Sequence, residues 1–467
     1  MEKTKTSGVE KIRLTANSTD MTKGDPARLI LFFALPLMLG NILQQTYTMV
    51  DTVVVGHVIG FQALAAVGAA DWINWLVLGS VIGLCQGFSI LVAQQFGAED
   101  YPAVRRTVAM SVLLSAVVSI LFMVVFFPLA KPILRLLRTP SGIMDSSLTF
   151  LYILLGGIPV ITGYNVFASV LRSMGNSRAP LAATGIASAI NIALDIVFVV
   201  LLRWGVAGAA AATVIAQAFS CLFCLKALSR IPFLHLRRDD WIPDWDLIKR
   251  LVLLGAPMAV QNAVIGVGSM VVQAVVNGFG VIFVAGYTAV MKLYGLLELA
   301  ATSFGFSMVA YTGQNLGAKK YGRIRKGMKA GLKMSICVAG LISVVILSLG
   351  KQIVRVFVSG NEQDVEAVVD VAYHYLFLMG IFLFVLYMLY LYRSALQGMG
   401  DTVVPMISGI VELAMRVGCV LALPLLVGRG GVYFAEVAAW LGSAVLLMVT
   451  YYRRMRGMPR EEDAPPE

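Results

Sequence analysis

Two aspartates stand out because each is set in a long apolar run. Asp51 follows Leu29 to Val50, a stretch with no charge, and Asp195 lies inside the apolar window 181–202. About 20 apolar residues cross a bilayer, and an ionised carboxylate in hydrocarbon costs roughly 2.5–3.5 kcal/mol on insertion scales. A carboxylate kept there is a candidate for taking up and releasing a proton, or for holding a small cation. Its neighbours suit that chemistry. At 100° per residue, Gln44, Tyr47 and Asp51 fall at about 0°, 300° and 340° around a helix, forming one polar stripe. Thr184, Ser188, Asn191 and Asp195 share one face of a second helix, and Thr213, Gln217 and Ser220 share one face of a third. Three polar stripes in one half of a membrane protein are buried only against each other, around a cavity with two carboxylates. Taken alone, Asp51 has a second, less favoured reading as a cap at the water interface, since Gly56 and His57 follow it.

The elements that position these residues follow from composition. The 467 residues are 58% apolar and 13% charged, with a mean hydropathy of +0.82. Soluble proteins carry about 25% charged residues, so this is an all-α polytopic membrane protein. Apolar windows predict twelve transmembrane helices, at 29–55, 62–93, 107–129, 147–170, 181–202, 206–229, 250–278, 281–312, 330–350, 368–392, 403–427 and 431–452. The net charge of +11 is read as topology and not as nucleic-acid affinity. With a cytoplasmic N-terminus, 28 of the 37 Lys and Arg fall on the inner side and seven on the outer, with Lys292 and Arg416 inside helices. That bias predicts both termini in the cytoplasm. The first 28 residues lack the apolar core and cleavage site of a signal peptide. Cys221 and Cys224 form a CxxC on a helix without a second ligand pair, so no metal or redox site is expected.

The chain also repeats itself. Gln94-Gln95-Phe96-Gly97-Ala98 recurs 220 residues later as Gln314-Asn315-Leu316-Gly317-Ala318. Leu171-Arg172-Ser173-Met174-Gly175-Asn176 recurs after 225 as Leu396-Gln397-Gly398-Met399-Gly400-Asp401, and Pro36 has its match in Pro257. Two six-helix copies of the same orientation predict pseudo-symmetric lobes about an axis along the membrane normal. The expected organisation is a cytoplasmic segment 1–28, an N-lobe 29–230, a cytoplasmic linker 231–247, a C-lobe 248–453 and a tail 454–467.

On Tyr47-Thr48-Met49-Val50-Asp51-Thr52, Ala63-Leu64-Ala65-Ala66-Val67-Gly68 and Gly313-Gln314-Asn315-Leu316-Gly317-Ala318, the chain resembles the MATE (multidrug and toxic compound extrusion) family over nearly its whole length. The resemblance implies two facing bundles that export amphipathic, often cationic compounds in exchange for H⁺ or Na⁺, by alternating access. It also implies an ion-coupling site in the N-lobe, made by Gln44, Tyr47, Asp51, Asn165, Asn191, Asp195 and Thr213. A C-lobe Na⁺ site is not expected, because Gln261 and Asn262 stand on the seventh helix and no acid lies between Tyr375 and Gly400.

The other membrane charges have separate readings. Glu298, with Gln261 and Asn262, is a candidate for the substrate cavity. Glu412 and Arg416, four apart, with Glu436 within reach, read as a structural ion network. Asp370 and His374 read as a solvated pair. Lys292 reads as snorkelling, and Trp72, Trp75, Trp204 and Trp440 as interfacial anchors. No phosphate-cradling loop, HExxH or GxSxG occurs, which excludes an ATP-driven pump or enzyme of those types. The rival reading is a lipid-linked saccharide flippase, disfavoured because a single Arg is counted inside the membrane. The expectation is a monomeric, multi-pass plasma-membrane antiporter for drug-like molecules, with no cofactor beyond the coupling ion H⁺ or Na⁺.

Overall fold

The computed structural model describes residues 19–137, 139–357 and 362–459. The rest of the expected N-terminal segment and tail, with Arg138, lies outside the described residues. Helices dominate: α1 (Pro26–Val54), α2 (Phe61–Gly97), α3 (Tyr101–Leu136), α4 (Ser141–Gly156), α5 (Ile158–Ser173), α6 (Arg178–Asp195) and α7 (Val206–Ser229) form the first half. The second half holds α8 (Trp245–Val276), α9 (Val281–Gly317), α10 (Tyr321–Phe357), α11 (Glu362–Gly398), α12 (Val403–Val427) and α13 (Ala435–Arg456). Among the described residues eleven single helices are long and apolar enough to span a membrane, and α4 with α5 makes a twelfth span, bent by 48° at Gly157. The expected fourth helix is this broken pair, so the expected fifth helix corresponds to α6. Pro159, which has no N–H to donate, sits in the first turn of α5 directly after the break.

Helix starts follow capping rules. Asp25 accepts from the Arg28 N–H ahead of Pro26, Asp100 caps α3 ahead of Pro102, and Asp244 caps α8. The expected linker condenses into two single turns, Pro232–Leu234 and Arg238–Trp241, and Arg105 of α3 pins it through a 2.6 Å bond to Asp240.

The internal repeat is visible in the backbone. Left-handed residues occur in matched pairs: Gly60 with Gly280 (φ 111° and 92°), Gly175 with Gly400 (81° and 85°), and even Glu99 with Lys319 (59° each). Within the first half α6 packs on α1 and α7; within the second, α11 packs on α9, α10 and α13. The halves meet where α2 crosses α8 and α1 crosses α9. Glycines bring the first crossing close: a Cβ on Gly87 would lie 2.4 Å from the Gly255 Cα.

At the end where α2 and α9 finish the seam is tighter still, and it is reciprocal. A Cβ on Gly97 would lie 1.9 Å from the Gln314 carbonyl oxygen, and one on Gly317 would lie 1.8 Å from that of Gln94. The Gln94 amide donates to the Gly398 carbonyl, while the Gln314 amide donates to that of Ser173, its repeat mate. The segment before α1 lies over this seam. The Met21 N–H donates to Gln314 Oε1, and Asn315 and Arg323 donate to the Met21 carbonyl.

Candidate functional site

In the first half α6 lies between α1 and α7, so the helices that carry the three polar stripes are neighbours. Asp195 and Asn191 are almost wholly buried (0% and 1% exposed), and Asp51 and Tyr47 are half-buried. The charge of Asp51 acts on Asp195. Among the described residues, both Asp195 oxygens, Asp51 Oδ1, both side-chain polar atoms of Asn191 and Gln217 Oε1 are buried without a hydrogen-bond partner. Such groups are ordinarily satisfied, so a cluster of orphaned acceptors around two acids marks a place suited to an added proton or cation.

Local backbone underlines the position. Asp51 lies four residues before a π-helical stretch, Val55–Ile59, and Asp195 immediately precedes another, Ile196–Leu201. The two stretches touch. π-Turns loosen the regular hydrogen-bond ladder and recur at functional sites.

The remaining expected residues surround this pair. Thr213 returns its hydroxyl to the Ala209 carbonyl and Asn165 donates to the Ile161 carbonyl, so neither bonds an aspartate. Gln44, Asn165 and Gln217 line a cavity of about 820 Å³ with Tyr164, Arg172 and Phe306. Asp71 of α2 escaped sequence analysis, yet its charge also acts on Asp51. A lone acid between Ala70 and Trp72 in an apolar window was the available signal.

The second half is built differently. Arg393 of α11 pairs with Glu412 of α12, and Arg416 pairs with Glu436 of α13 at 2.8 Å. All four are buried, at 6% exposed or less. The structural network therefore exists with different pairing: Arg416 reaches across to α13, and Glu412 is held by Arg393. Arg393 was counted as a loop charge in sequence analysis, because it follows the apolar run that α11 extends past. Glu298 of α9 accepts a short hydrogen bond from the Tyr390 hydroxyl of α11. It lines two adjoining cavities of about 790 and 880 Å³. Gln261 and Asn262 line the first of these, where Asn262 donates to the Gly79 carbonyl of the other half and Gln397 donates to Gln261.

Several simpler expectations need correction. Trp440 is buried (1% exposed) and stacks on Tyr294, so it is a core residue. Trp75 packs against Gly266 across the halves and lines the cavities. Asp370 bonds Lys351 at 2.8 Å, while the His374 ring meets the Asp370 backbone carbonyl and stacks on Tyr433. Arg172 is no loop charge either, since it lines the cavity next to Gln86 and Phe306. The premise of a single membrane Arg therefore fails, because Arg172, Arg393 and Arg416 all lie within the bundle. Among the described residues, no cluster of three His, Cys, Asp or Glu could hold a metal.

Known proteins of the same design exist. The MatE family profile matches residues 36–197 and 257–420, one block in each half. The Probable multidrug resistance protein YpnP of Bacillus subtilis is 31% identical over 73% of this chain and 76% of its own length. The Probable multidrug resistance protein NorM of Thermotoga maritima is 24% identical over 81% and 82%. Among solved structures, a MOP-superfamily transporter of Pyrococcus furiosus superposes with a TM-score of 0.90 at 21% identity, covering 96% of this chain and all of that one. A MATE transporter in its outward-facing conformation gives 0.88 at 21% identity over 95% and 99%. The repeat, the twelve spans and these matches agree: the chain belongs to the MatE family of multi-pass membrane transporters.

Proposed function

We propose that this transporter is a secondary antiporter exporting amphipathic, often cationic compounds, with H⁺ as the coupling ion at Asp51 and Asp195. One observation carries the reading, namely the cluster of orphaned buried acceptors around those two acids. Two like charges side by side in a low dielectric are costly unless a cation joins them. A proton arriving from outside removes that cost and lets α1 repack at its π-helical stretch. Repacking expels cargo from the cavities between the halves, and release of the proton inward resets the site. The multidrug names of the relatives support export of drug-like molecules. The wall suits such cargo: Trp72, Trp75, Met258, Met291 and Phe306 give an adaptable apolar surface beside polar groups such as Gln261, Asn262 and Glu298.

The deciding experiment is transport of a cationic dye by inverted vesicles, first under a pH gradient alone and then under a Na⁺ gradient alone. Movement with the pH gradient is expected. Movement only with Na⁺ replaces the ion in this reading, and movement with ATP after both gradients collapse refutes it.

A further inference from the structure

Arg172 sits in the last turn of α5, where two of the cavities meet. Its Nη2 donates to the Ser169 hydroxyl at 2.8 Å, and its guanidinium lies 5.0 Å from the centre of the Phe306 ring, contributed by the other half. Among the described residues no carboxylate lies within ion-pair distance of it. The titratable groups that act on it are Tyr164, Cys85 and Cys224.

This isolation is unusual for the molecule. The membrane-embedded Arg393 and Arg416 each hold a buried glutamate, and Arg105 holds Asp240. A guanidinium carries five donors and is costly to bury without an anion. Packing does not demand the charge here. The repeat mate of Arg172 is Gln397, and that of Ser169 is Ser394, so the second half builds the same corner with a neutral amide.

A counter-charge stands elsewhere in the same space. Gln86 and Phe306 line both the cavity that holds Arg172 and the one that holds Glu298. The space between the halves therefore runs from an unpaired cation on α5 to a carboxylate on α9. The position matching Glu298 in the first half is Leu78, so this polarity is not a by-product of the repeat.

We propose that the cargo of this transporter is an amphipathic zwitterion, its carboxylate held by Arg172 and its cationic group directed to Glu298, with the hydrophobic body on Phe306 and Trp75. The planar fork of Arg suits bidentate capture of an oxyanion. This rests on the reading of the space between the halves as the cargo site. The shared chemistry is an oxyanion on an amphiphile, and a zwitterionic phospholipid would offer the same group as phosphate.

The test uses the full-length purified protein and two probes with one ring system: tetramethylrhodamine with a free carboxylate, and its methyl ester, a plain cation. Binding is read by fluorescence polarisation and transport in inverted vesicles. Arg172→Gln should lower the acid-to-ester affinity ratio by about tenfold or more, the worth of a charge-assisted hydrogen-bonded pair. Arg172→Lys should recover part of that ratio, and Glu298→Gln should shift it the opposite way. Unfolding midpoints of the variants close to that of wild type establish that the ratio reports recognition. An acid-to-ester ratio that Arg172→Gln leaves unchanged overturns the proposal, even if wild type moves the ester well. Failure of wild type to bind or move either probe overturns the cargo-site reading together with it. Dihexanoylphosphatidylcholine is added as competitor. If it displaces the acid from wild type, and loses that effect in Arg172→Gln, the oxyanion is a lipid phosphate and the carboxylate assignment is overturned.

Discussion

The two halves repeat each other span for span, yet they treat buried charge in opposite ways. In the first half Asp51 and Asp195 keep acceptor atoms with no partner among the described residues, beside two π-helical stretches that touch. In the second half Glu412 and Glu436 each have an arginine from a neighbouring helix, and Glu298 has a tyrosine. A charge whose partner is built in is committed to one arrangement. A charge left open stays available to a mobile ion. The difference supports the proposed ion chemistry in the first half, and in the second half the ion pairs link α11 to α12 and α12 to α13.

This contrast can be broken at several points. Asp51→Asn or Asp195→Asn should lower gradient-driven dye efflux at least 100-fold while folded yield in detergent stays near wild type, because asparagine mimics the protonated acid at nearly the same volume. Normal efflux in both variants would move the coupling site elsewhere.

The paired half should respond in the other currency, stability. Arg416→Ala leaves Glu436 buried and uncompensated, a loss of about 3–5 kcal/mol, read as lower yield of monodisperse protein and a lower Tm. Arg416→Met with Glu436→Gln should recover a large part of that loss, since an apolar or neutral replacement of a buried pair is often nearly neutral. Arg416→Met with Glu412→Gln should recover less, because Glu412 belongs to Arg393. Equal rescue by both doubles would mean that the pairing is shared across the network.

A smaller effect is expected at the seam between the halves. Gly266→Ala would push a Cβ to 2.1 Å from the Trp75 ring, which must turn to admit it. Overpacking of this kind costs about 1–3 kcal/mol, and a Tm shift of a few degrees measures it. The least effect belongs to the exposed Lys351–Asp370 pair. Lys351→Met should leave both efflux and Tm within error, as exposed ion pairs contribute little.

Much of this was legible in the residues because bilayers impose strict rules. Twelve apolar windows became eleven single spans and one broken one, and the break at Gly157 was hidden because the hydropathy of 147–170 does not register a bend. The packing of α6 against α1, the helices that carry Gln44, Tyr47, Asp51, Asn191 and Asp195, accords with helical spacing, which gives each a polar stripe to bury. What escaped depends on contacts between helices far apart in the chain. Glu412 and Arg416 stand at ideal spacing on one helix, yet each chose a partner from another, because a better-placed group from α11 or α13 outcompetes an intrahelical neighbour. Arg172 and Arg393 adjoin turns and were counted as loop charges, because helices extend beyond their apolar windows. Asp71 was overlooked because no polar stripe accompanies it on α2.

The glycine seam beneath the cavity is stitched by uncharged amides meeting backbone carbonyls. Electrolyte screens fields between ions over a Debye length of about 8 Å at 0.15 M ionic strength, and it has little hold on bonds of this kind. Acidity has none, for no member of those bonds titrates. The closure therefore behaves as a passive latch, equally firm in dilute or concentrated medium. On the proposed coupling, the moment of its release is dictated from a distance, by the tension the membrane-embedded acids place on α1, the helix leading out of the segment that lies over it.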